Sequence, residues 1–149
     1  MLSDPIVSPE ALRAAREKAG LTQHELARLV GVAGGERVSR WERGSSAPRP
    51  DVLHRVAAVL GIGPRDLLTP LVGSPDVRRL RTLAGLSLEA LAARAHTSVS
   101  TVNRWEAGRI ERIPDRVTLD PVAAALRVTI ENVELALAEA KRADRARRT

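Results

Sequence analysis

Apolar and polar positions follow one order along this chain and then repeat it. Leu12, Leu21, Leu26 and Ala27, set among Arg13, Arg16, Gly20 and Thr22, return 65 residues later as Val77, Leu86, Leu91 and Ala92 among Arg78, Arg81, Gly85 and Ser87. Arg40-Trp41-Glu42-Arg43-Gly44 returns at an offset of 64 as Arg104-Trp105-Glu106-Ala107-Gly108. A long fixed period of this kind marks a duplicated structural unit.

Cap and breaker residues cut each copy into short helices. Ser8-Pro9-Glu10 reads as an N-cap followed by Pro at the first helical position, with Gly20 as the stop, so a first helix is expected over about 9–19. Thr22-Gln23-His24-Glu25 has capping-box spacing and opens a second helix to about Val30, broken by Gly31. A third is expected near 35–43, a fourth from Pro48-Arg49-Pro50 to Gly61, and a short fifth from Gly63-Pro64 to near Leu68. In the second copy, Ser74-Pro75-Asp76 repeats the cap-plus-Pro opening, Ser87 and Ser98 cap the next two helices, and Asp120-Pro121 is expected to start the fourth late. Thr129 caps a long last helix running toward Ala140. These signals predict an all-α chain: a first domain over 1–68, a linker over 69–74, a second domain over 75–140 and a basic tail over 141–149.

Composition narrows the picture. A chain of 149 residues with 44% hydrophobic content can pack two small cores, and with aromatics at 1% those cores must be built from aliphatic residues, which suits short helices. The chain has no Cys, which excludes disulfides and thiolate zinc clusters. Met1-Leu2-Ser3-Asp4-Pro5 has neither a basic start nor an apolar core, and no apolar run approaches the roughly 18 residues of a membrane span, so a soluble, cytoplasmic protein is expected. The net charge of +6 is concentrated at one end. Residues 141–149 hold five Lys/Arg against one acid, whereas 1–68 hold ten against eight and 69–140 nine against nine. Basicity alone therefore says little about the domains, and the placement of individual Arg residues matters more.

The sequence Gly20-Leu21-Thr22-Gln23, Glu25-Leu26-Ala27, Gly31-Val32, Val38-Ser39-Arg40-Trp41-Glu42, Gly44, Pro48, Leu53, Ala57 and Leu60-Gly61 closely resembles the phage-repressor and Cro (XRE) family of helix-turn-helix DNA-binding domains. The resemblance covers residues 9–68 and, less richly, 75–137, where Leu88 stands in place of Gln23 and His96 in place of Gly31. It implies two tandem five-helix, lambda-repressor-like domains. In each, the third helix would enter the major groove of double-stranded DNA, and the start of the second, with Gln23, would meet a phosphate. It further implies that Glu42 pairs with Arg16, and Glu106 with Arg81, as a structural link between helices.

Helical geometry agrees with that assignment. Val38 and Trp41 fall three apart and face inward, leaving Arg37, Arg40 and Arg43 outward with Glu36 near the tip. Arg reads guanine through two hydrogen bonds, whereas Ser98, Val99, Ser100, Thr101 and Arg104 form a smaller set suited to thymine methyls, phosphates and one guanine. Seven residues separate Gly31 from Val38, against six between His96 and Val102. The first turn thus carries one extra residue, and Gly35 either lets the backbone approach DNA or accommodates the insertion.

Trp41 and Trp105 are expected in the cores, since base-stacking platforms place aromatics in series. His24, His54 and His96 share no metal-ligand spacing, and Gly31-Val32-Ala33-Gly34-Gly35 lacks the Lys-Ser/Thr of a phosphate loop. No cofactor, metal, small-molecule or catalytic site can be assembled, so an enzyme is not expected. The tail either tracks phosphates or is a solvated end. These features point to a sequence-specific transcription regulator with two recognition helices in successive major grooves. A linker of six residues spans about 20 Å against the roughly 34 Å between such helices, so the domains would lie close together. The rival is a protein-interaction module, an antitoxin or transcription-machinery adaptor, whose second domain would show an apolar patch at Ser100, Thr101 and Arg104; a homodimer is also left open.

Overall fold

Short polar side chains start seven of the nine α-helices among the described residues by accepting backbone N–H groups that a first turn leaves unpaired. The computed structural model describes residues 6–149, and the reading of Met1–Pro5 as no leader falls outside them. In the first repeat, α1 spans Pro9–Lys18, with the Ala11 N–H donating to Ser8 Oγ at 3.1 Å. Helix α2, Gln23–Val30, carries the complete capping box: the Glu25 N–H donates to Thr22 Oγ1 at 3.0 Å, and the Thr22 N–H to the Glu25 carboxylate at 3.1 Å. Next come α3, Gly35–Arg43, α4, Pro50–Leu60, and a 3-10 turn over Pro64–Leu67. The Ser8 N–H donates to Leu67 O and the Thr69 N–H to Ile6 O, both at 2.8 Å, so the end of the repeat is tied to its start and Thr69 belongs with the first unit rather than the linker.

The second repeat folds as α5, Val77–Leu83, α6, Leu88–Arg94, α7, Val99–Ala107, α8, Arg116–Leu126, and α9, Ile130–Arg148. Among the described residues there is no strand beyond an isolated bridge between Val7 and Leu68. The chain divides after Pro70 into two units. Leu12, Leu26, Val38, Trp41, Leu53 and Val56 are buried in the first, and Leu91, Val102, Trp105, Leu119, Val122 and Leu137 are buried in the second. Each indole is only 4% exposed.

Three boundaries differ from the sequence reading. Helix α5 is capped by Asp76, whose carboxylate accepts the Arg79 N–H at 2.9 Å, so the helix begins after Pro75 and not at Ser74. Helix α8 starts at Arg116 and runs through Pro121. Asp115 caps it, accepting the Thr118 N–H at 2.9 Å, and the carbonyl that Pro121 leaves without a helical partner belongs to Val117, which is open to solvent. Burial of Leu119, Val122, Ala123 and Leu126 outweighs the one missing bond. Helix α9 continues to Arg148 without an apolar stripe beyond Ala140. Ion pairs Glu139–Arg142, Asp144–Arg147 and Asp144–Arg148 at helical spacing support the extension.

Candidate nucleic-acid interface

In each unit the third helix is presented to solvent by a largely buried charge clamp. Arg16 Nε donates to Glu42 Oε2 at 2.6 Å and Nη2 to Oε1 at 3.0 Å, while Nη1 donates to the Leu21 carbonyl at 2.7 Å. One guanidinium thus joins α1, the turn before α2, and α3. The second unit repeats the clamp. Arg81 donates to Glu106 at 2.5 and 3.1 Å and to the Leu86 carbonyl at 3.0 Å.

The two clamps differ in one donor. Gln23, assigned to a phosphate, donates Nε2 to Glu42 Oε1 at 3.2 Å, so its side chain is turned toward the clamp. Leu88 stands at that place in the second unit and offers no such bond. Burial pushes the Glu42 carboxyl up, but the hydrogen bonds from Arg16 and Gln23, with the charges of Arg16 and Arg13, outweigh it and hold Glu42 below its ordinary value. The Glu42 hydrogen bond in turn raises Arg16.

On the open face of α3, Glu36 lies 3.6 Å from Arg40 Nε and 3.2 Å from Arg43 Nη2, with all three side chains more than half exposed. Contacts this exposed contribute at most about 1 kcal/mol and can give way to a ligand. Arg37 is exposed and has no ion-pair partner among the described residues. Gly35 faces inward. A Cβ there would stand 3.0 Å from His24 N and 3.2 Å from its Cα, so the glycine lets α3 pack against the start of α2. That packing gives the glycine a role inside the protein, at the junction of α2 and α3.

On α7 a polar chain replaces the charge cluster. Ser98 Oγ and Thr101 Oγ1 lie 3.0 Å apart, and Arg104 Nη2 donates to Thr101 Oγ1 at 3.3 Å. Ser98 also accepts the Thr101 N–H at 3.1 Å as the helix cap. Ser100 and Arg104 are exposed and Thr101 is half-buried. Val99, read as a base-contacting position, is half-buried against the core. The exposed large apolar residues among those described are Leu29, Leu71, Val72, Val117 and Leu135, none of them on α3 or α7.

Sequence reasoning missed what lies beyond the C-terminus of α7. Lys141 Nζ donates to the Glu111 carbonyl and Arg147 Nη2 to the Ala107 carbonyl at 3.4 Å, which brings the end of α9 to the end of α7. The signal was present in Gly108, where a Cβ would stand 2.1 Å from the Ala140 carbonyl oxygen.

No helix among the described residues is long and apolar enough to cross a membrane, and no group of three or more His, Cys, Asp or Glu could hold a metal ion. A family model described as helix-turn-helix matches the chain twice, over residues 12–67 and 77–133. No curated protein and no solved structure matches it.

Proposed function

We propose that this chain, which belongs to the helix-turn-helix family and holds two domains of the phage-repressor and Cro (XRE) type, is a transcription regulator that binds double-stranded DNA sequence-specifically through α3 and α7. The observation that carries this reading is the matched pair of clamps, Arg16–Glu42 and Arg81–Glu106, each fixing a helix whose outward face is polar and Arg-bearing. A fixed helix with Arg at its exposed positions suits the major groove, where a two-bond contact to guanine discriminates by about 1–3 kcal/mol. The polar face of α7 favours DNA over the apolar surface that a protein-binding second domain would present.

In this reading one chain does what a repressor dimer does, with α3 and α7 in successive major grooves. The two faces differ, Glu36, Arg37, Arg40 and Arg43 against Ser98, Ser100, Thr101 and Arg104, so the bound site is asymmetric. Selection of binding sites from random duplex DNA tests this. The expected result is one unequal bipartite motif with half-sites about one helical turn apart. A motif covering a single half-site would remove the second domain from base reading, and no enriched motif would overturn the proposal.

A further inference from the structure

The C-terminal half of α9 lies outside the region matched to the helix-turn-helix family, which ends at residue 133, yet it is docked at the end of the recognition helix of the second unit. Two hydrogen bonds hold it there, Lys141 to the Glu111 carbonyl and Arg147 to the Ala107 carbonyl, and at Gly108 the fit is so close that a Cβ would collide with the Ala140 carbonyl. Arg147 also places a cation at the negative end of the α7 dipole. Between α9 and the loop after α7 an open cleft of about 450 Å³ is lined by Arg109, Lys141, Arg145 and Arg148, with Glu111 and Asp144 as its acids. A second cleft of about 430 Å³ shares Arg109 and Glu111 and reaches Arg104 and Arg112, so cationic side chains continue from the recognition helix to the chain end.

The ion pairs show which charges are available. Asp144 is held by Arg148 at 3.0 Å and Arg147 at 3.8 Å. Arg109 and Arg145 have no ion-pair or side-chain hydrogen-bond partner among the described residues. Neutralising the α7 terminus therefore accounts for Arg147 but leaves these two unexplained.

Resting on the DNA-binding reading above, we propose that this cleft is a backbone-binding site in which Arg109 and Arg145, with Lys141 and Arg148 beside them, take phosphates of the duplex flanking the base pairs that α7 reads. The tail is then a fixed element of the second unit that extends its footprint along the DNA. Phosphate contacts hold register without reading sequence, and each one releases counterions.

The test uses the full chain and its selected duplex, with and without about ten flanking base pairs on the side of the second half-site. Binding is measured over a series of salt concentrations for the wild type and for the Arg109→Gln/Arg145→Gln double variant, which removes no ion pair or side-chain hydrogen bond among the described residues. On the flanked duplex, the double variant should lower the log–log salt slope by about 1–2 units, at about 0.9 per phosphate contact, with the ranking of sites unchanged. On the trimmed duplex the two proteins should converge. Glu111→Gln, which removes an acid from the cleft, should tighten binding to the flanked duplex. Equal slopes on the flanked duplex would overturn the cleft while leaving DNA binding intact, as would a changed ranking of sites or a loss that persists on the trimmed duplex. Failure of the wild type to bind any duplex would instead remove the functional reading on which the cleft rests.

Discussion

Gly44 and Gly108 occupy the same place after Trp41 and Trp105, so replacing each with Ala measures how the same glycine is used twice. Both are left-handed, at φ +77° and +74°, and Ala adds about 1–2 kcal/mol of strain at either. Their surroundings differ. A Cβ at Gly44 meets only Pro9 Cγ at 3.5 Å, an ordinary contact. A Cβ at Gly108 meets the Ala140 carbonyl oxygen at 2.1 Å, its carbon at 2.5 Å and Lys141 N at 2.9 Å. These are backbone atoms with no rotamer to change, and they would have to retreat by more than about 1 Å. Overpacking of that kind costs about 1–3 kcal/mol, which brings Gly108→Ala to about 2–5 kcal/mol against about 1–2 for Gly44→Ala. Urea unfolding read by Trp fluorescence resolves the units when Gly108→Ala is made in a Trp41→Phe background and Gly44→Ala in a Trp105→Phe background. If Gly108→Ala cost no more than Gly44→Ala, α9 would not sit on the end of α7, and the cleft between them would be lost as well.

The clamp, α3 and α7, and the turn of the second unit can be tested in the same way. Glu42 has a lowered folded value, so its contribution is full above its ordinary value of 4.5 and is lost as pH falls through the lower folded one. Urea midpoints of the first unit between about pH 6 and pH 3 should fall more steeply for wild type than for Glu42→Gln, and parallel curves would contradict the assignment. Arg16→Ala leaves the Glu42 carboxylate without its charged partner and with Gln23 as its remaining side-chain donor, and should cost toward the lower end of about 3–5 kcal/mol, measured by the same unfolding. Arg40→Ala and Arg104→Ala should each weaken binding by about 1–3 kcal/mol and relax preference at one or two base pairs in repeat site selection; a loss uniform over all sequences would make them phosphate contacts. His96 sits at φ +56°, where Gly31 stands in the first unit, so His96→Gly should raise the stability of the second unit by about 1 kcal/mol, and a loss would show that the imidazole has a packing role.

Most helix starts were legible because capping is local: Thr22 with Glu25, Ser87, Ser98 and Thr129 lie within four residues of the groups they satisfy. The misread starts had two candidates close together. Ser74 and Asp76 both cap well, and the choice went to the residue that leaves Val77 and Leu80 facing the core. Pro121 looked like a start because sequence alone does not show that Asp115 already caps the helix or that the apolar face beyond it is buried. The end of α9 was hidden for a different reason. Its last turns carry no apolar stripe, and the supporting contacts to Ala107 and Glu111 span 40 and 30 residues. The outward residues Glu36, Arg37, Arg40 and Arg43 of α3 followed from helical spacing around Val38 and Trp41, but on α7 the same reasoning placed Val99 outward, where it is half-buried against the core. The turn of Gln23 toward Glu42 and the inward packing of Gly35 depend on how α2 meets α3, which periodicity does not encode.

If α3 and α7 both read base sequence, affinity must depend on the order of the bases. The most direct test is the ratio of affinities of the full chain for its selected duplex and for a scrambled duplex of equal length and composition, at one near-physiological salt concentration. The expected ratio is at least about a thousandfold, falling when either half-site is scrambled alone. A ratio within about tenfold of unity would contradict that dependence, because binding would then rest on phosphates alone and neither α3 nor α7 would be reading bases.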